Sequence, residues 1–91
     1  MSHTVREKPK LLARVRRIQG QAVALERALD AEKGCGEILH QIVAIRGAIN
    51  GLMAEVIEDH VQCHVADPNL EEKRRREGAG ELIDVIRTYM K

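Results

Sequence analysis

The stretch GEILHQIVAIRGAINGLMAEV, residues 36–56, decides the fold. Its large apolar residues Ile38, Ile42, Ile45, Ile49, Leu52 and Val56 alternate steps of four and three, the spacing of a coiled-coil seam. The pattern predicts one helix from about Cys35 to Val65, which at the helical rise is about 45 Å long. A chain of 91 residues has too little material to cover such a helix, so the seam must pack against another chain. Antiparallel pairing makes the seam match itself: Ile38 meets Val56, Ile42 meets Leu52 and Ile45 meets Ile49. The crossing then falls near Gly47, Ala48 and Gly51, where small residues let backbones approach. The alternative is that the two glycines only kink a single helix, where each costs about 1 kcal/mol.

Upstream, Leu11, Val15, Ile18, Ala22, Leu25 and Leu29 recur at helical steps and predict a first helix ending at Leu29 or Asp30. Thr4 and Glu7 have capping-box spacing, but Pro9 moves the expected start to between Arg6 and Lys8. The residues before it, within 1–7, form a mobile arm. Glu32-Lys33-Gly34-Cys35-Gly36, with two glycines, is a short break between the helices. Downstream, Asp67-Pro68-Asn69 stops the long helix, and Asn69 with Glu72 reads as the cap of a third helix that ends in Leu82, Ile83, Val85, Ile86 and Tyr89. Gly78 and Gly80 weaken its middle. The expectation is a single all-α domain over residues 1–91, a three-helix protomer that pairs as an antiparallel helical dimer.

Composition narrows the function. With 32% charged residues and no long apolar run, the chain has no membrane span, and its polar start has no signal-peptide pattern, so a reducing cytoplasm is expected. Tyr89 is the only aromatic residue, which argues against modules that stack on single-stranded bases. Two cysteines are too few for a disulfide scaffold. The net charge of +1 conceals an asymmetry: Arg6, Lys8, Lys10, Arg14, Arg16 and Arg17 face one acid, Glu7, in the first twenty residues. Such a basic surface suits a polyanion, nucleic acid first, with a merely solvated helix face as the alternative. Lys10, Arg14, Arg17 and Gln21 fall on one stripe of the first helix, opposite Leu11, Val15, Ile18 and Leu25. No helix-turn-helix or zinc-finger spacing accompanies them.

His60 and His64 lie one turn apart on the long helix, so both imidazoles share a face at a separation one divalent ion bridges. Cys35 is about 37 Å away along the same helix and cannot join them within a chain. The antiparallel pairing brings Cys35 of one chain beside His60 and His64 of the other. A thiolate with two imidazoles suits nickel, cobalt or zinc, and also copper. His3, on the arm, is placed to close the site as a fourth ligand, as is the terminal amine. Cys63, three residues from His60, is an alternative to His64. His40 has no such companions.

Over nearly its full length the chain resembles the CsoR/RcnR family of bacterial metal- and stress-sensing transcriptional repressors. The residues that carry the resemblance are Arg-Val-Arg-Arg-Ile-Gln-Gly-Gln at 14–21, Cys35, Ile-Arg-Gly-Ala-Ile-Asn-Gly-Leu-Met at 45–53, and His60. His3, Cys35, His60 and His64 together look most like its nickel/cobalt-responsive, RcnR/DmeR-like branch. The resemblance implies a disc-shaped homotetramer, a dimer of dimers, that binds operator double-stranded DNA without metal and releases it on binding Ni(II) or Co(II), controlling metal efflux or resistance. It also implies a flat basic surface built from several copies of the first helix, and a DNA role for Arg46, whose structural alternative is an ion pair with Glu26. His64 stands where the copper branch has a cysteine. Formaldehyde-sensing relatives keep the equivalent of Cys35 but usually carry proline after the initiator methionine and lack the last histidine. Persulfide sensing through Cys35 and Cys63, and Zn(II) or Cu(I) as effector, remain alternatives within the family. Outside it, the rival is a helical metal-buffering protein with no DNA role. An enzyme is not expected: Cys35 has no sequence-local base or acid, and no phosphate-cradling glycine loop is present.

Overall fold

Helix α1, Lys8–Asp30, begins one residue before Pro9, which places the proline in the first turn, where a missing N–H costs little. In this computed structural model, which describes residues 7–90, α1 is followed by α2, Cys35–His64, and α3, Glu72–Tyr89, with no strand among the described residues. The arm expected within residues 1–7 lies outside the described residues except for Glu7, the residue that precedes α1.

The break after α1 is a Schellman turn. Glu32 N–H donates to Leu29 O and Lys33 N–H to Ala28 O, each at 3.0 Å, which satisfies two carbonyls at the helix end. The left-handed residue is Glu32, with φ of 55°, and no glycine has positive φ among the described residues. Gly34 instead starts the next helix by accepting from Ile38 N–H at 3.1 Å. After α2 the third helix is capped differently from the sequence expectation. Asn69 N–H donates to Asp67 Oδ1 at 2.9 Å, closing the turn, and Glu71, in extended conformation, precedes α3 with no side-chain cap.

Residues 7–53 form one compact unit, α1 with the first part of α2. The packed line on α1 runs Leu11, Arg14, Ile18, Gln21 and Leu25, all half-buried, to Ala28, which is buried. This corrects the expected stripe: the line passes through Arg14 and Gln21, while Val15 is 37% exposed and Leu29 57%. On α2, Ile38, Gln41, Ile45, Ala48 and Leu52 are half-buried, whereas Ile42 and Ile49 are exposed. The seam read from sequence is thus shared between two faces. No large side chain is fully buried among the described residues, so one chain by itself leaves uncovered much apolar area, which on burial contributes about 25 cal/mol per Å².

From residue 54 onward the last part of α2 and α3 form the second unit. Its centre is Gly78, the buried residue of α3. A Cβ there would collide with the His64 carbonyl oxygen and lie 2.9 Å from both His64 C and His64 Cβ, so only glycine lets the two backbones meet.

Two substitutions should therefore act in opposite directions in urea unfolding. Glu32→Gly relieves a left-handed non-glycine residue and should raise stability by about 1 kcal/mol. Gly78→Ala should lower it by about 1–3 kcal/mol, because a backbone rather than a movable side chain is in the way.

Candidate metal centre and nucleic-acid interface

Helical spacing puts His60 and His64 on the same side of the last turns of α2, and their ring centroids lie 4.9 Å apart with the planes tilted by 33°. Both are half-buried. His60 Nε2–H donates to the Gly78 carbonyl at 2.8 Å. A carbonyl only accepts, so Nε2 carries a proton, and Nδ1 is the nitrogen whose lone pair a metal would use. A backbone acceptor of this kind fixes the tautomer and orientation of a metal-binding imidazole. Gly78 therefore plays two parts: its missing side chain admits the α2 backbone, and its carbonyl aims His60.

Arg75 fastens the connection that follows. Its Nε donates to Val65 O at 2.9 Å and its Nη2 to Asp67 O at 2.8 Å, so one guanidinium satisfies carbonyls just past the α2 terminus. Beside the histidines, Cys63 is a half-buried thiol and not disulfide-bonded. Asp59 Oδ2 is buried with no hydrogen-bond partner among the described residues. Cys35 is exposed and is the first residue of α2, whereas His60 and His64 occupy its other end. His3 lies outside the described residues. Within one chain no three His, Cys, Asp or Glu residues among those described converge on a cation position. Two imidazoles from one chain suit a borderline divalent ion when further donors are supplied.

The basic residues of α1 divide into two groups. Lys10 and Arg17 are exposed. Arg14 and Gln21 turn toward α2 and, with Arg17, line a hollow of about 360 Å³ whose other wall is Ala44, Gly47 and Ala48. The expected single outward stripe is corrected accordingly. Arg46 is exposed at the edge of a second hollow, lined by Leu25, Ile42, Ile45, Ile49 and Asn50, and it forms no ion pair with Glu26. Pattern reading passed over Arg75, and took Gly78 only as a weak point of the third helix and Gly51 only as a place on the dimer crossing. The available signal was the presence of glycines inside helices, which marks close approach as readily as weakness.

The family described as "Metal-sensitive transcriptional repressor" matches residues 7–88. The chain belongs to this family. It is 47% identical to the transcriptional repressor RcnR of Salmonella typhimurium over 91 residues, covering all of both chains. An uncharacterized protein in the bioA 5′ region of Serratia marcescens is 54% identical, again over the whole of both chains. Among solved structures, a Glu-to-His variant of the formaldehyde-responsive regulator FrmR from Salmonella enterica serovar Typhimurium superposes with a TM-score of 0.84 at 43% identity, covering 92% of this chain and 94% of that one. The metal-sensitive repressor is therefore a DNA-acting regulator and not an enzyme. No helix among its described residues is long and apolar enough to cross a membrane.

Replacing Arg75 by Gln removes the charge-assisted bonds that hold Val65 and Asp67. Urea denaturation should show a loss of about 2 kcal/mol, with faster amide exchange in the α2–α3 connection.

Proposed function

We propose that this repressor holds operator double-stranded DNA when metal-free and releases it when Ni(II) or Co(II) binds between chains. Cys35 of one chain joins His60 and His64 of another, with His3 as a further ligand. The observation that carries this reading is the pair of imidazoles with His60 Nε2 held on the Gly78 carbonyl, which directs a nitrogen lone pair away from that bond. The ligands from a second chain are supported by the exposure of Leu39 at 55%, Ile42 at 45%, Val43 at 52% and Ile49 at 43% on one chain. An antiparallel α2 pair covers the seam, and two such pairs give the tetramer.

Lys10, Arg14, Arg17, Gln21 and Arg46 form the DNA side of a cytoplasmic repressor that controls a metal efflux or resistance gene. The metal lowers DNA affinity only to the extent that it binds the DNA-free conformation more tightly. Zn(II) and Cu(I) suit the same donors, so selectivity rests on geometry and availability. The full-length identity with RcnR supports a metal effector. The likeness to FrmR favours a second reading, formaldehyde acting at the exposed Cys35 thiol.

Fluorescence anisotropy of promoter DNA with the reduced protein separates the two. Ni(II) or Co(II) should release the DNA, His64→Leu should lose that response, and Cys35→Ala should lose it as well. Release by formaldehyde alone replaces the effector and keeps the repressor, whereas no promoter binding under any condition removes the DNA role.

A further inference from the structure

His64 is the last residue of α2, and the last turn of a helix frays more readily than its middle. The helix closes on Val61 O, which accepts from Val65 N–H at 3.1 Å and from Ala66 N–H at 2.8 Å. Just past this point the main chain is held from α3. Arg75 Nε donates to Val65 O at 2.9 Å and Arg75 Nη2 to Asp67 O at 2.8 Å, so one rigid guanidinium fork grips carbonyls on both sides of residue 66. Arg75 is itself anchored in α3, where its main-chain N–H donates to Glu71 O at 3.0 Å. Of the successive cations Lys73, Arg74, Arg75 and Arg76, only Arg75 is half-buried. Arg76 instead pairs with Glu72 on α3 itself, at 2.8 Å with both side chains well exposed, an arrangement that contributes little. A helix favours acids near its start and cations near its end. The placement of Arg75 is thus explained by the end of α2 and not by the start of α3.

We propose that Arg75 is a positioning residue for His64, which by holding the Val65 and Asp67 carbonyls keeps the last turn of α2 helical and the two imidazoles side by side. The inference rests on the metal reading above and deepens it. Two residues of α3, three apart, then serve the two histidines: Gly78 O fixes the His60 ring, and Arg75 fixes the turn that carries His64. A cation meets a donor pair that is already ordered, so little of its binding free energy goes into arranging the second imidazole. Without the guanidinium both rings remain chemically intact, but binding must first restore the frayed turn, and the apparent affinity falls by the fraction of chains in which it is formed.

Co(II) is the probe, titrated into the reduced full-length protein at a temperature where circular dichroism and sedimentation show each variant folded and assembled as the native protein is. Arg75→Gln should bind Co(II) about tenfold more weakly, the loss expected when a group that orients a ligand is removed. Its visible Co(II) spectrum should shift toward that of His64→Leu, and amide exchange in the metal-free protein should quicken at residues 63–67. Arg75→Lys keeps the charge without the fork, so its affinity should fall between native and Arg75→Gln. Arg76→Gln removes the neighbouring charge, whose partner is Glu72, and should bind Co(II) as the native protein does. Native affinity and spectrum in Arg75→Gln, with faster exchange at residues 63–67, would show that Arg75 secures the connection and positions nothing. An equal loss in Arg76→Gln would make net charge the cause and also overturn the proposal. Should Arg75→Gln not fold, Arg75→Lys decides by the same readouts: weakened binding with the shifted spectrum supports the positioning role, and native values sink it. If His64→Leu binds Co(II) like the native protein, the metal reading itself is wrong, an outcome distinct from the failure of Arg75 alone.

Discussion

The contact between the Gly78 backbone and the last turn of α2 is the constraint from which the second unit takes its form. A glycine inside a helix sacrifices stability locally, yet here it permits backbone-to-backbone packing that no side chain would allow. The same residue supplies the carbonyl that holds His60 Nε2–H. Packing and chemistry are therefore tied at one position: the seating of α3 and the orientation of an imidazole cannot be altered independently. Arg75 adds to this by satisfying carbonyls where α2 ends, next to His64.

Most of the helical framework was legible in the sequence, because apolar periodicity and chain breaks report directly on local structure. The long helix expected from Cys35 to Val65 runs Cys35–His64, and the first helix starts and stops where Pro9 and the last apolar residues place it. What escaped was rotation about the helix axis. Periodicity shows that a packed face exists, but Arg14, Gln21 and Ala28 take the places of Val15, Ala22 and Leu29 in it, each one residue earlier, which turns the face from the apolar-only reading. The turn at Glu32 escaped for a related reason: hydrogen bonding at the end of α1 assigned the left-handed conformation by position, although glycines stood nearby.

The candidate site was legible in part. The spacing of His60 and His64 forecast neighbouring rings on one face, and the structure has them 4.9 Å apart. Spacing alone did not reveal which nitrogen of His60 is engaged, since that depends on α3, eighteen residues further along the chain. On α1 the residue types suggested attraction to a polyanion, but the recess around Arg14 depends on what α2 leaves out. Alanine and glycine at 44, 47, 48 and 51 carry no chemistry of their own, and their contribution is space.

Ala28, at 6% exposure, is the one buried apolar side chain among the described residues, while many isoleucines, leucines and valines remain in water. A chain so thinly filled gains little from folding in isolation, and in the proposed assembly the cover that a second copy gives this surface is part of the folding free energy. For such an assembly the thermal midpoint rises with protein concentration. Under that proposal abundance sets two things together in a regulator: how much operator is occupied, and how much of the protein persists in a folded state able to respond.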